Sequence, residues 1–479
     1  MPPRIVASPR AAVGTLWLSL TVSAVVAAVV AAAGCTGPAG DPAASPDAVG
    51  PLGAPARASV EVYLFDGAYG SAYLDTAVDL YHRALPGSPV EVKPVHDVAT
   101  QLQPRFVAGD PPDLVDNSGR PLDLATLADA GQLTDLAPLL AAPSFDDPDV
   151  TVGQTLADGV ASAGSVDGRV LALRYVTTAY GLWYSQALFD RHGWEAPTTW
   201  DGLLALGDRA RARGVALLVY PGQAMGYVAD VFVALVGKQA GVDALRALDN
   251  LEPNAWRNPA VVAAFAALAE LGDRGLVLAG SEALTHTEAQ TELLRGQALF
   301  YPAGSWLTSE TRATLPAGFD LAIAPVPALD PSTAALDAAT VAVAPSEEFV
   351  VPTRAKNPAG AQELLRAMLS REAAAQFSRL TGAPTVVRGA LDGVEVSPVL
   401  RRVLDAIDAG GEPELRAWFR VWYEGLRAQW LTTLGDVLAG RTGAREAAAT
   451  MQAAADDVAS DASVTKHMRP DAHEGPTAS

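Results

Sequence analysis

Short apolar strands alternating with amphipathic helices constrain this chain more than any other feature. SVEVYLF sets Val60, Val62 and Leu64 at alternate positions, as a strand buried on one face requires. After the turn DGAYG a helix is predicted, with Ser71 as its N-cap and Leu74, Ala77, Val78 and Tyr81 along one face. Pro86-Gly87 stops it, PVEVKPV is the next strand, a helix runs from Ala99 to Val107, and DLVDNS is a short third strand. Strand–helix–strand units of about 30 residues impose parallel pairing with right-handed crossovers. In such sheets binding groups gather beyond the carboxyl ends of strands. Those ends carry Asp66-Gly67 and Asp116-Asn117-Ser118.

The centre of the chain continues in this style. VLALRYVTTAYGLWYS is strand-rich, GVALLVYPG is a buried strand, and YVADVFVALVG places Val228, Val231, Phe232 and Leu235 on one helical face. QALFYPAGSW and LAIAPVP are strands again. Asn357-Pro358 opens a helix with a capping amide and a proline at its first position. Gly382 ends a helical stretch, helices dominate from Pro398, and residues 466–479 are expected to be a disordered tail.

Cys35 is the one cysteine among 479 residues, so no intrachain disulfide can brace the fold. It follows an uncharged apolar run, residues 11–33, which Arg4 and Arg10 precede. A positive segment, an apolar core and a small-residue junction describe an export signal over 1–34. The alternative is an uncleaved anchor, because a run of this length can span a bilayer. Residues 36–57 are Gly, Pro, Ala, Ser and Asp without periodicity, and with Cys35 they are expected to form a flexible tether. The remainder is too long for one ordinary core, which implies two lobes. A net charge of −20 argues against nucleic acid and anionic membrane surfaces as partners.

Catalytic and cofactor signatures are missing. The six histidines stand at no metal-ligand spacing, and there is no HExxH, CxxC, Walker A or dinucleotide fingerprint. PAGSWL lacks the flanking glycines of a serine nucleophile elbow. No enzyme activity, metal or cofactor is expected on these grounds. What the chain does carry is aromatic residues beside small and polar ones at strand ends. In Gly304-Ser305-Trp306 an indole leaves an apolar strand after two small residues, and it either faces a cleft or fills a core. A sugar ring, with apolar C–H faces and a hydroxyl rim, suits such a platform ringed by hydrogen-bonding groups. Asp116 and Asn117 either hook paired hydroxyls or close an Asx turn. Tyr69 is a contact or a lid over Asp66, Thr178 and Tyr180 lie where a strand crosses between lobes, and alternation puts one of Trp183 and Tyr184 in the core. Trp418, Trp422 and Trp430 are spaced to pack as a helix face.

The strings LFDGAYGSAYLDTA, QLQPRFVAGDPPDLVDNSG, YGLWYSQALFDRHGWEAPTTWDGLLAL, NLEPNAW, LTHTEAQT, YPAGSWLTSETRATLPAGFDLAIAPVP and FVVPTRAKNPAGAQELLRAMLS run in order through the chain. They resemble the family-1 extracellular solute-binding lipoproteins of carbohydrate ABC importers, most of all the N-acetylglucosamine and N,N′-diacetylchitobiose binders. The junction before Cys35 likewise resembles a bacterial lipobox, in which that cysteine is lipidated. The resemblance implies a two-lobe, periplasmic-binding-protein-like α/β fold with discontinuous lobes and a sugar cleft between them. One lobe is expected at 58–176 plus 323–378, the other at 177–322 plus 379–465.

By position, Asp116, Asn117, Thr178 and Trp306 match sugar contacts, with Gln223 and Tyr227 from the second lobe, and Tyr69, Asp66, Tyr180 and Ser305 join them as candidates read from the residues. Thr178 stands where the wider family often has an acid, and Thr308-Ser309 where close relatives have Glu-Asn. The implied function is a monomeric capture subunit, lipid-anchored outside the cell membrane, delivering sugar to a permease driven by a cytoplasmic ATPase. A membrane-anchored glycoside hydrolase and a lipoprotein with an altered ligand, acting as a sensor, are the alternatives.

Overall fold

A computed structural model describes residues 50–410 and 415–469. The signal segment, Cys35 and the tether up to residue 49 lie outside the described residues, as do 470–479. The described residues form ten strands: β1 (Val60–Phe65), β2 (Val90–Val95), β3 (Leu114–Asp116), β4 (Ser165–Val166), β5 (Arg169–Val170), β6 (Leu173–Ser185), β7 (Ala216–Leu218), β8 (Ala298–Gly304), β9 (Leu321–Ala324) and β10 (Ala342–Val350). The parallel pairing expected from the first units is found: β1 lies between β2 and β3 and runs parallel to both. The sheet then continues β3-β10-β6-β8-β7, with β9 also on β6, while β4 and β5 form a separate ribbon.

β6 is the long member, and its 13 residues extend roughly 40 Å at strand rise. β10 runs antiparallel along it from Ala342 opposite Tyr180 to Phe349 opposite Leu173. At one end Leu173, Tyr175, Val176 and Phe349 join a core with β1 and the helices Asp75–Ala84, Pro358–Met368 and Arg371–Thr381. At the other, Leu182, Tyr184 and Ala342 join a core built on the helices Gly226–Ala240, Pro259–Asp273, Glu424–Leu438 and Ala444–Ser460. These two strands therefore carry the chain between two lobes.

Each half of the sheet is covered on both faces. A third core, with Trp183, Tyr301 and Val403, lies opposite the second, and a fourth, with Val98, Phe106 and Val350, opposite the first. This is why Trp183 and Tyr184 are both buried, where alternation placed only one inside. Trp430 is a core indole, while Trp418 and Trp422 are half-buried and stacked, ring centres 5.9 Å apart.

Local chemistry fixes the helix ends. Asp97 accepts from the Thr100 amide at 3.0 Å and caps the helix Val98–Ala108. Asn357 accepts from the Gly360 amide at 2.9 Å ahead of Pro358, as its sequence demands. Ser71, predicted as a cap, makes no capping bond, because a 3₁₀ turn at Ala72–Leu74 intervenes before the helix begins at Asp75.

The packing departs from the sequence boundaries in four places. Ala324 and Val326 belong to the second core, and the buried Lys238 ammonium holds that segment by donating to the carbonyls of Val326 (2.6 Å) and Ala338 (2.7 Å). Burial there pushes its pKa down to about 8. Ala383, Val386 and Ala390 belong to the first core. Residues 50–57, assigned to the tether, are docked: Ala54 is fully buried and the Leu52 amide donates to Glu363 at 2.8 Å. The described start of the tail is held too, since Arg469 pairs with the buried Asp249 carboxylate at 2.9 Å.

Candidate functional site

β8 ends in Gly304-Ser305-Trp306, and the indole folds back over the strand end. A Cβ at residue 304 would overlap the indole ring, so glycine is required there. Trp306 is half-buried. Tyr180, on the crossover strand β6, meets it edge-on at 5.5 Å and 80° between planes. Tyr227, in the first turn of the helix Gly226–Ala240, meets it at 5.8 Å and 87°. Each ring comes from different packing: Trp306 rests on the first core, Tyr180 on the second and Tyr227 on the third. The result is an aromatic corner where the lobes meet. Burial, reinforced by the Glu310 charge, raises the Tyr227 phenol and keeps it a neutral donor.

A polar layer lies beside the corner. The hydroxyls of Thr178 and Ser346 are 2.6 Å apart across β6 and β10, and the Ser305 hydroxyl accepts from the Ala179 amide at 3.4 Å. Tyr69 is 8% exposed, packs edge-on against Phe377 at 5.2 Å, and its hydroxyl has no hydrogen-bond partner. Burial drives its pKa well up and the Glu347 charge raises it further, while the neighbouring hydroxyls of Thr178 and Ser305 oppose the rise.

Asp116, at the end of β3, is 1% exposed; its Oδ1 accepts from the Ser118 hydroxyl at 2.5 Å and its Oδ2 has no partner. Burial raises this carboxyl well above its ordinary value, and the nearby Glu347 charge raises it further. Glu347 sits within β10 at φ 54°, a left-handed conformation that a non-glycine residue holds only when its surroundings dictate it. Its carboxyl is pushed up to about 7 by burial, with Glu310 adding repulsion. Glu310 is itself raised by burial, and it accepts from the Gln290 amide. Near Tyr180, Asp230 pairs with Arg420 at 2.5 Å beside a cavity of about 20 Å³, room for one water.

Of the residues singled out in sequence, Tyr69, Thr178, Tyr180, Tyr227, Ser305, Trp306 and Asp116 converge here. Asn117 does not offer its amide. Nδ2 donates to the Leu122 carbonyl (3.0 Å) and Glu348 (2.9 Å), and Oδ1 accepts from the Leu122 amide (2.8 Å), so the side chain is an internal bracket. Gln223 is exposed and donates to the Ala283 carbonyl at 2.8 Å, with no contact to the ring corner. Asp66 is half-buried at the end of β1. Thr308 is buried and bonded to the Thr381 carbonyl at 2.8 Å, which ties the turn after Trp306 to the other lobe.

Glu347, Ser346 and Glu310 escaped sequence reasoning. Pro345-Ser346-Glu347-Glu348 interrupts the apolar alternation of β10, and nothing in a glutamate announces a positive φ. Among the described residues, no group of three or more His, Cys, Asp or Glu side chains is arranged to hold a metal ion.

A family model described as a bacterial extracellular solute-binding protein matches residues 78–399. The chain is 36% identical over 423 residues to the diacetylchitobiose-binding protein NgcE of Streptomyces coelicolor, covering 87% of this chain and 88% of that one. Among solved structures it superposes on a chitin oligosaccharide binding protein (TM-score 0.66, 17% identity, 83% of this chain, 98% of the other). It likewise superposes on the solute-binding protein RafE in complex with raffinose (TM-score 0.65, 19% identity, 82% and 98%). At those identities the two structures speak to the fold, and both share its two-lobed α/β architecture.

Proposed function

The chain belongs to the bacterial extracellular solute-binding proteins, and on that premise we propose that it captures N-acetylglucosamine or N,N′-diacetylchitobiose for an ABC importer. The observation that carries the reading is the aromatic corner of Trp306, Tyr180 and Tyr227 at the meeting of the lobes. An indole with two perpendicular phenols gives a sugar's C–H face an apolar seat, and the surrounding hydroxyls and carboxylates serve its polar rim. The similarity to the diacetylchitobiose binder selects the substrate class within the family.

Capture proceeds by hinge closure about β6 and β10, a pre-existing open–closed equilibrium biased by the ligand's better fit to the closed state. Micromolar affinity requires about −8 kcal/mol, within reach of one stacked ring and several directed bonds. The protein works as a monomer, tethered through a lipid on Cys35 at the outer face of the membrane, and hands its sugar to a permease pair driven by a cytoplasmic ATPase. It turns nothing over.

Calorimetric titration of the full chain with N,N′-diacetylchitobiose tests this, with maltose and cellobiose as controls. One-to-one binding, lost in Trp306→Ala, is expected. Binding of a control sugar alone would overturn the substrate assignment, and silence from all three would favour a lipoprotein with an altered ligand. Release of product from a chromogenic chitobioside would make the protein a hydrolase instead.

A further inference from the structure

Tyr180 has a second neighbour besides the ring corner: it lines the cavity of about 20 Å³ next to Asp230 and Arg420. Strand register places that cavity on the binding face. Ala342 stands opposite Tyr180 and Ala344 opposite Thr178, and both alanines line the cavity. Directly paired residues share one face of a sheet. The ring that meets Trp306, the bonded hydroxyls of Thr178 and Ser346 and the two alanines therefore lie on the same side of β6 and β10.

The walls of this partly open cavity are of two kinds. Val233, Ala342, Ala344 and Ala417 make an apolar part, while Asp230 and Arg420 supply a bonded pair of opposite charge at 2.5 Å. Arg416 reaches it too, with its guanidinium set over the Trp418 ring at 4.8 Å. The Asp230–Arg420 bond uses one N–H and one carboxylate oxygen. Both partners keep further capacity, so a donor and an acceptor stand side by side with their charges balanced. A space that holds one water also holds one methyl group.

We propose that this cavity seats the acetamido group of an N-acetylated sugar, its methyl against Val233, Ala342 and Ala344, its N–H donating to Asp230 and its C=O accepting from Arg420. The proposal rests on the sugar-binding reading above and assigns that substituent its residues. A hydroxyl in the same place would engage the polar pair and leave the apolar walls facing water. A charged amine would upset a pair that is already balanced. An acetamide brings a donor, an acceptor and a methyl together, and each has its counterpart here. The small residues set the limit of size: Ala342 and Ala344 are each 5% exposed, and a larger side chain at either would fill the space.

The test titrates three disaccharides on one β-1,4 frame into the full chain in a calorimeter: N,N′-diacetylchitobiose, its N,N′-dipropionyl analogue and cellobiose. The diacetyl sugar should bind roughly tenfold or more tightly than either of the others, because the propionyl chain is a methylene too long and cellobiose has no acyl group. Ala344→Gly enlarges the cavity and should bring the dipropionyl sugar to within about threefold of the diacetyl one. Ala344→Val fills it and should weaken the diacetyl sugar about tenfold. Should the valine variant not fold, the glycine variant decides alone. Equal affinity for the diacetyl and dipropionyl sugars in the unaltered chain overturns the proposal, as does a glycine variant that still rejects the longer acyl group. If N,N′-diacetylchitobiose binds and its ranking ignores residue 344, only this inference fails. If no sugar binds, the sugar-binding reading fails with it.

Discussion

The two sides of the cleft are built on opposite principles. On the aromatic side, Trp306, Tyr180 and Tyr227 are each backed by a hydrophobic core, and their mutual edge-on geometry satisfies them without a ligand. On the acidic side, burial holds the carboxyls of Asp116, Glu347 and Glu310 above their ordinary values, and Asp116 and Tyr69 keep polar atoms unserved. One side is stable as it stands; the other is held in place by the rest of the fold. Binding groups that cost stability are the ones a ligand most readily relieves.

The largest effect that can break this contrast is on the aromatic side. Trp306→Ala should weaken N,N′-diacetylchitobiose binding about a hundredfold, roughly 3 kcal/mol, by calorimetry. A loss below fivefold would make the corner mere packing. Asn117→Ala gives the converse. Removing the internal bracket should lower unfolding free energy by about 2 kcal/mol in urea, because the Leu122 amide and carbonyl are left unpaired. Sugar affinity should then move less than threefold, and a larger change would return Asn117 to the site.

The acidic side should show itself in pH. Glu347 holds its proton up to about 7 when folded, against an ordinary value of 4.5, so the folded chain is protonated over a window where the unfolded chain is not. Its contribution to stability therefore falls as pH rises from about 4.5 to about 7 and levels off above that. Relative to Glu347→Gln, the unaltered chain should lose about 5 °C of melting temperature across that window. Parallel melting curves would show that this carboxyl is not strained by burial. The smallest effect is expected from Tyr69→Phe. Deleting a buried hydroxyl without a partner should stabilise the ligand-free protein by about 1 kcal/mol in chemical unfolding while weakening sugar binding. Destabilisation would mean that Thr178 or Ser305 serves that hydroxyl after all.

The aromatic side was legible in the sequence, because Gly304-Ser305-Trp306 combines a required glycine with an indole at a strand end. The parallel units at the start of the fold were legible from alternation in β1 and the breaks after it. The acidic side was not. Its central residue lies in β10, whose polar middle hides the strand, and its importance depends on a backbone angle and on neighbours over 200 residues away in sequence. The packing of Val326 onto the second core was not legible for a related reason: Lys238 and Val326 are joined by a bond between a helix and a distant loop, which no local pattern encodes.

β10 lies between β3 and β6 yet follows both in the chain. As the protein is synthesised from its N-terminus, β3 and β6 are made long before the strand that joins them, and the first core waits further for Ala383, Val386 and Ala390. A nascent chain stopped short of residue 342 should remain sensitive to protease across residues 60–180, and one carried past 390 should not. Late closure keeps the chain threadable, and a protein bound for the outside of a cell must still be threadable when it reaches the membrane.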